Sequence, residues 1–188
     1  MAKIVDKWLK ENNFDCEEFS DIAKLVEIKN NKRLRISLCI PTLNEEGTIG
    51  KIIRVIKKTL MKEHKLLDEI AVIDSGSTDR TMEIALKSGA NFYLAKNYLK
   101  AYGTCRGKGE NLWKALYLLE GDIIAWVDGD IENIHPRFVY GTIGPLLVND
   151  NINYVKPYYR RPLKIGKKIE PFGGGRVTEI LIRPLFNM

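Results

Sequence analysis

The sequence predicts an α/β fold with a mostly parallel sheet flanked by helices, and three observations carry that expectation. Short apolar runs recur at Ile36 to Ile40, Ile70 to Ile73, Phe92 to Ala95 and Ile123 to Val127. The segments between them are long enough for a crossover, which parallel neighbours require and tight hairpins do not. Gly89 and Gly121 each follow a helical pattern, where glycine commonly marks a helix end. Strands alternating with helices in this way imply right-handed crossovers.

In chain order, residues 1–35 read as a helical N-terminal segment. Glu17 to Lys29 places Phe19, Ile22, Ala23 and Val26 at helical spacing, with Asp15 as its cap, and the Asn30-Asn31-Lys32-Arg33 cluster breaks the pattern. Residues 36–188 hold the alternating elements. Between the apolar runs, helices are predicted over Thr48 to Leu60, with Ile49, Ile52, Ile53, Ile56 and Leu60 on one face, over Thr81 to Ser88, and over Glu110 to Glu120. A further strand is expected at Asn153 to Tyr158, then a basic loop, then a last helix from about Arg176. No internal repeat or low-complexity tract interrupts the chain.

Bulk properties narrow the class. With 188 residues, 45% hydrophobic and 29% charged, the chain supports one principal domain. Its formal charge of +6 favours anionic partners, among them nucleotides, phosphorylated metabolites, nucleic acid and acidic headgroups. The basic residues lack interleaved aromatics and any reader motif, so nucleic acid is not the expected partner. No apolar run approaches the ~20 residues that span a bilayer, and Met1 to Lys10 lacks a signal-like stretch. Only Cys16, Cys39 and Cys105 are present, widely separated and without metal spacing, which points to a reducing cytoplasm.

In open α/β sheets ligands bind beyond the carboxyl ends of the strands, so the residues following each apolar run are the candidates. Pro41-Thr42-Leu43-Asn44-Glu45-Glu46 follows the first strand. Asn44 and Glu45 either hydrogen-bond a nucleotide or cap the next helix and complement its dipole. Asp74-Ser75-Gly76-Ser77-Thr78-Asp79 follows the second; its hydroxyls suit a base or ribose, and an ordinary capped loop reads the same way. Lys108, flanked by Gly107 and Gly109, lacks P-loop spacing yet stands within reach of a nucleotide.

Trp126-Val127-Asp128-Gly129-Asp130 ends an apolar strand in two carboxylates that an extended chain points the same way. Such a pair suits Mg²⁺ or Mn²⁺, which borrows further ligands from substrate phosphates; an Asp-Gly hairpin turn is the competing reading. Finally, Phe172-Gly173-Gly174-Gly175-Arg176-Val177-Thr178-Glu179 opens the expected last helix. Bare N–H groups and the Arg176 fork would make an anion site there, unless the glycines form a merely flexible loop. Arg160, Arg161, Lys164, Lys167 and Lys168 read as a largely solvated face from which one or two could steer a phosphorylated substrate.

Taken in order, PTLNEE, DSGSTD, RGKGENLWKAL, VDGD and YYRRPL followed by GGGRVTE resemble the motif series of the glucosyl-3-phosphoglycerate synthases, from about residue 37 to the end of the chain. The resemblance implies a GT-A, Rossmann-like domain over residues 36–188, incomplete at its C-terminus. It implies that Pro41, Thr42, Leu43, Asn44 and Glu45, with Ser75 and Lys108, line the uridine diphosphate pocket. Asp128, Gly129 and Asp130 become the DxD segment, with Asp130 the metal ligand proper and Asp128 nearer the sugar and ribose. Gly175, Arg176, Val177 and Thr178 match the segment that holds 3-phospho-D-glycerate, and Asp130, Asp128 and Arg176 are the catalytic set. The implied reaction moves glucose from UDP-glucose to the acceptor's 2-hydroxyl with retention, aided by Mg²⁺ or Mn²⁺, in a cytoplasmic homodimer that contacts no membrane.

Members of that family continue well beyond a segment like the one ending at Met188 and supply a histidine metal ligand there. Neither His64 nor His135 matches that position, so weak or absent turnover is expected of the chain as it stands. Two other readings stay open: a GT-A transferase with a polyprenyl-phosphate or glycerate acceptor, and a nucleotide-sugar-binding module without turnover.

Overall fold

At the centre lies β1 (Ile36–Thr42), every residue of which is buried. The computed structural model describes residues 2–103, 105, 107–158, 161–165 and 168–173. β1 pairs in parallel with β2 (Glu69–Asp74) on one side and β4 (Ile123–Trp126) on the other, and β3 (Asn91–Leu94) extends the sheet beyond β2 in the order β3-β2-β1-β4. The first three strands run outward in one direction, and the fourth returns to the opposite flank of β1. The strand order therefore reverses between β1 and β4, which opens a crevice at their carboxyl ends.

Helices fill the crossovers. α3 (Ile49–Ile56) buries Ile49, Ile52, Ile53 and Ile56, each contributing about 1.5–3 kcal/mol by leaving water, and continues as a π-helical stretch over Lys57–Glu63. α4 (Thr81–Ser88) crosses α3 closely: a Cβ on Gly50 would lie 2.7 Å from Ile84 Cγ2. It ends at Gly89, whose φ of +84° is the left-handed conformation that a side chain resists. α5 (Lys108–Leu118) places Ala115 and the following Leu119 against Cys39, Ala71, Ile73 and Ala95. There burial pushes the Cys39 thiol up to about 12, aided by the Glu69 carboxylate.

Several sequence expectations change. Glu17 to Lys29 is not one helix: a 3₁₀ turn over Cys16–Phe19 precedes α2 (Ile22–Asn31). Asp15 does act as a cap, of the turn, in a capping box with Glu18, while Asp21 accepts from Lys24 N–H at 3.1 Å and starts a second element. Gly121 is no helix stop; Leu119 already leaves α5 in an extended conformation. Its lack of a side chain serves β1 instead, since a Cβ would meet Ser37 N at 2.6 Å. α6 (Arg137–Val148), which contains two glycines and Pro145, is a helix that the sequence does not predict. Its glycines receive the 3₁₀ turn, since a Cβ on Gly144 would sit 2.2 Å from Phe19 Cγ.

Two compact units emerge, Asp15–Val155 and the pair Met1–Phe14 with Lys156–Met188. The smaller contains α1 (Ala2–Glu11) and an antiparallel hairpin of β5 (Arg161–Ile165) and β6 (Lys168–Gly173), with Ile165 opposite Lys168. Asn153 to Tyr158 forms no strand, and the expected basic loop is largely this hairpin. Pro162 and Pro171 are tolerated because an isolated two-strand pair is all edge. The helix expected from Arg176 lies outside the described residues. Among those described, no helix is long and apolar enough to cross a membrane.

Candidate active site

The polar motifs converge where the strand order reverses. The loop after β1 and the loop after β2 are joined by reciprocal hydrogen bonds organised around Asp74, a buried carboxylate at the end of β2. Asp74 accepts from Gly76 N–H at 2.8 Å, Ser77 N–H at 2.7 Å, Thr42 Oγ1 at 2.9 Å and Ser77 Oγ at 2.5 Å. Such saturation offsets the cost of burying a charge. Asn44, at φ +60°, donates its N–H to Ser77 Oγ at 2.8 Å and accepts from Thr78 N–H at 2.8 Å. Glu45 N–H reaches Thr81 Oγ1 at 2.8 Å, and Glu46 N–H reaches Asp79 Oδ2 at 3.1 Å.

These contacts set aside the capping reading of Asn44: its side chain caps no part of α3 and fastens the neighbouring loop at the strand ends. The residue before α3 is Thr48, whose hydroxyl donates to the Gly129 carbonyl at 2.5 Å. That bond draws the segment after β4 against the start of α3. Gly129 is buried there, and a Cβ on it would lie 3.1 Å from the Pro41 carbonyl oxygen and 3.2 Å from Glu45 Cγ. Glycine between the two aspartates thus lets the β1 and β4 segments approach closely.

Around this junction the charges are acidic. Burial raises the Glu45 carboxyl above the usual range, reinforced by the negative charges of Asp130, Asp79 and Asp128. Lys108, the first residue of α5, forms an ion pair with Asp128. Asp130 is exposed, and no described residue donates a hydrogen bond to it or to the Glu45 carboxylate. The sequence candidates Pro41, Thr42, Glu45, Lys108, Asp128, Gly129 and Asp130 are therefore brought together by β1, β4 and the start of α5, while Leu43 is half exposed nearby. Ser75 lies at the end of β2, its N–H bonded to the Thr42 carbonyl at 3.0 Å. Gly175, Arg176, Val177 and Thr178 lie outside the described residues.

Can these groups hold a divalent ion? Among the described residues, no three carboxylate, imidazole or thiolate groups gather closely enough to cage a metal unaided. The donor set nonetheless fits Mg²⁺ or Mn²⁺, which take one or two carboxylates and complete their shell with water and substrate phosphate. The mutual repulsion registered at Glu45 is the local field that a cation would relieve. A cavity of about 310 Å³ lined by Glu69, Asn91, Tyr93 and Glu120 lies at the other end, by the amino ends of β2 and β3. The reversal of strand order favours the carboxyl-end crevice over it.

Sequence reasoning missed two residues of this region. Thr48 reads as a generic helix start. Asn111 is buried on α5 and bonds the Ile73 carbonyl at 2.8 Å, and its only sequence signal is a polar residue sharing the inward stripe of Lys114 and Ala115.

Comparison with known proteins gives this geometry relatives. A glucosyl-3-phosphoglycerate synthase from Petrotoga mobilis is 53% identical over 176 residues, which cover 94% of this chain and 54% of that protein. The crystal structure of mannosyl-3-phosphoglycerate synthase from Rubrobacter xylanophilus superposes with a TM-score of 0.84 at 34% identity, covering 96% of this chain and 55% of that one. Glucosyl-3-phosphoglycerate synthase from Mycobacterium tuberculosis, solved with Mn²⁺, UDP-glucose and phosphoglyceric acid, superposes with a TM-score of 0.72 at 40% identity over 88% of this chain and 53% of that one. The chain thus spans about half the length of the relatives it matches. The family model described as glycosyl transferase family 2 matches residues 37–168. On that match and on a parallel sheet with its polar motifs at the point of strand reversal, the chain belongs to glycosyl transferase family 2.

Proposed function

We propose that this chain contains the donor-binding half of an enzyme that transfers glucose from UDP-glucose to the 2-hydroxyl of 3-phospho-D-glycerate, with retention at the anomeric carbon. One observation carries the reading: an acidic cluster, in which Asp130 has no donor among the described residues, stands beside Lys108 at the crevice between β1 and β4. The 53% identity to the Petrotoga mobilis enzyme and the ligands of the Mycobacterium tuberculosis structure support the choice of donor and acceptor.

Asp130 is the residue to hold a divalent ion, with Asp128 beside it toward the sugar and ribose, and such an ion would supply Lewis-acid stabilisation of charge on a departing diphosphate. The chain's own groups do the rest. Lys108, tethered by Asp128, brings a positive charge beside the place where phosphate oxygens accumulate negative charge. The bonds holding the β1 and β2 loops fix Leu43, Asn44 and Ser75 as one rigid wall for the nucleoside, so that little order is lost on binding. Asp128 and Asp130 are separated by the single residue Gly129 on one segment. They do not form the opposed acid and base that glycoside hydrolysis uses across its scissile bond. In this reading Gly175, Arg176, Val177 and Thr178 orient the phosphorylated acceptor, and the odd, widely separated set Cys16, Cys39 and Cys105 fits a cytoplasmic setting.

The test is to incubate the protein with UDP-glucose, Mg²⁺ or Mn²⁺, and 3-phosphoglycerate, and to follow both metal-dependent UDP-glucose binding and the formation of a phosphorylated glucosylglycerate. Binding with product supports the whole proposal, and binding without product restricts the chain to nucleotide-sugar capture. Absence of metal-dependent binding to any nucleotide-glucose defeats it.

A further inference from the structure

We infer that Asn111 is a positioning residue that sets the base specificity of the nucleotide site by fixing the polarity of the Ser75 hydroxyl. The inference rests on the nucleotide-sugar reading above and adds to it a residue buried in α5, one turn after Lys108.

The argument follows from which atoms can give a proton and which can only receive one. Asn111 Nδ2 lies 2.8 Å from the carbonyl oxygen of Ile73, which only accepts, so the amide nitrogen must face β2. Its carbonyl oxygen, Oδ1, then faces Ser75 Oγ at 3.0 Å. An amide oxygen also only accepts, so the single hydroxyl proton of Ser75 is committed to Asn111. What Ser75 Oγ has left is lone pairs. Freed of Asn111, that hydroxyl would rotate to give or receive a hydrogen bond as the ligand demanded. Held by Asn111, it can only receive.

Ser75 also has a fixed backbone, its N–H bonded to the Thr42 carbonyl at 3.0 Å, so the oxygen's position as well as its polarity is set by the sheet. An acceptor at a fixed point selects a base edge that donates there. Uracil presents N3–H between two carbonyls, whereas cytosine presents a bare N3 lone pair at the same place and meets oxygen against nitrogen. Guanine also donates from its ring nitrogen and passes the same filter, so the discrimination is between donating and accepting edges. Asn111 need not touch the ligand; it acts through Ser75. A site built around a committed hydrogen bond rejects the mismatched analogue more strongly than an apolar wall does, because the mismatch leaves a polar group unpaired.

The experiment measures the affinity of the full chain for UDP, CDP and N3-methyl-UDP by calorimetry with Mg²⁺ present. The unaltered protein should prefer UDP to both analogues by roughly tenfold, the effect of one hydrogen bond made or left unmade. Asn111→Ala should bring UDP and CDP to within about threefold of each other. If that variant does not fold, the near-isosteric Asn111→Leu reads the same ratio. Ser75→Ala should show the same narrowing, and adding Asn111→Ala to it should change the ratio no further. Ser75→Asp in the Asn111→Ala background restores an acceptor-only group, and should restore the preference for UDP.

Equal losses of UDP and CDP affinity in Asn111→Ala, with the ratio unchanged, would show a merely structural role and overturn the inference. So would a change of ratio on adding Asn111→Ala to Ser75→Ala. If the unaltered protein binds none of the three nucleotides, the underlying nucleotide reading itself fails, and that result is distinct from either of the others.

Discussion

The two sides of the crevice are built on opposite plans. On the β1–β2 side, polar side chains are engaged with one another: Asp74 accepts four hydrogen bonds, and Asn44, Asp79 and Thr81 each fasten a backbone N–H or hydroxyl of their own or the facing loop. On the β4 side, Asp128 has one ion pair with Lys108, and Asp130 has no donor among the described residues. Polar residues at strand ends therefore do two different jobs. A buried carboxylate saturated by donors builds the wall, and an exposed one beside other negative charges is free to meet a positively charged group.

Removing the wall-builder tests this contrast most severely. Asp74→Ala leaves the Thr42 and Ser77 hydroxyls and the Gly76 and Ser77 N–H groups without their acceptor, and is expected to cost about 3–5 kcal/mol of stability, read from the urea midpoint. Asp130→Ala should do the reverse. Stability stays within about 0.5 kcal/mol, as for other exposed substitutions. Metal-dependent UDP-glucose affinity falls by at least roughly 10–100-fold, since losing even a group that only supports a metal ligand costs that much. If Asp130→Ala destabilises the fold as much as Asp74→Ala does, the division of labour is wrong.

A smaller effect sharpens the same contrast. The folded state raises the Glu45 carboxyl above its unfolded value, so the native protein binds that proton more tightly than the unfolded chain does. Its contribution is fully present below the unfolded value and is lost as pH rises through the raised folded value. Glu45→Gln should therefore stabilise the protein slightly at neutral pH, by less than about 1 kcal/mol given partial solvent screening, and flatten the stability profile in mild acid. Thermal denaturation across that range checks the sign. A Glu45→Gln variant less stable at neutral pH than the unaltered protein would mean that the acidic cluster is not repulsive.

Much of this was legible beforehand. The parallel sheet could be read because β1 and β2 are buried continuous apolar runs and their crossovers are strongly periodic, as with the isoleucines of α3. The motifs at the carboxyl ends followed from the same reading. α6 was illegible because Gly141, Gly144 and Pro145 each weaken local helix preference, and only packing against Cys16 and Phe19 makes such small residues favourable there. The strand expected at Asn153 to Tyr158 failed for the complementary reason: local β-preference finds no described partner, whereas Arg161–Ile165 pairs with Lys168–Gly173 across a short connection.

By itself the sequence determined the layers, the direction of the strands and the presence of two close carboxylates after β4, because hydrophobic period and residue type act over a few neighbouring positions. It could not decide which polar groups face one another. Whether Asn44 caps a helix or fastens a loop, whether Lys108 meets Asp128, and which atom of Asn111 faces Ser75 all depend on residues more than 15 positions apart. Those pairings exist only once the sheet has brought the strand ends together, since hydrogen-bond polarity and charge repulsion are properties of proximity.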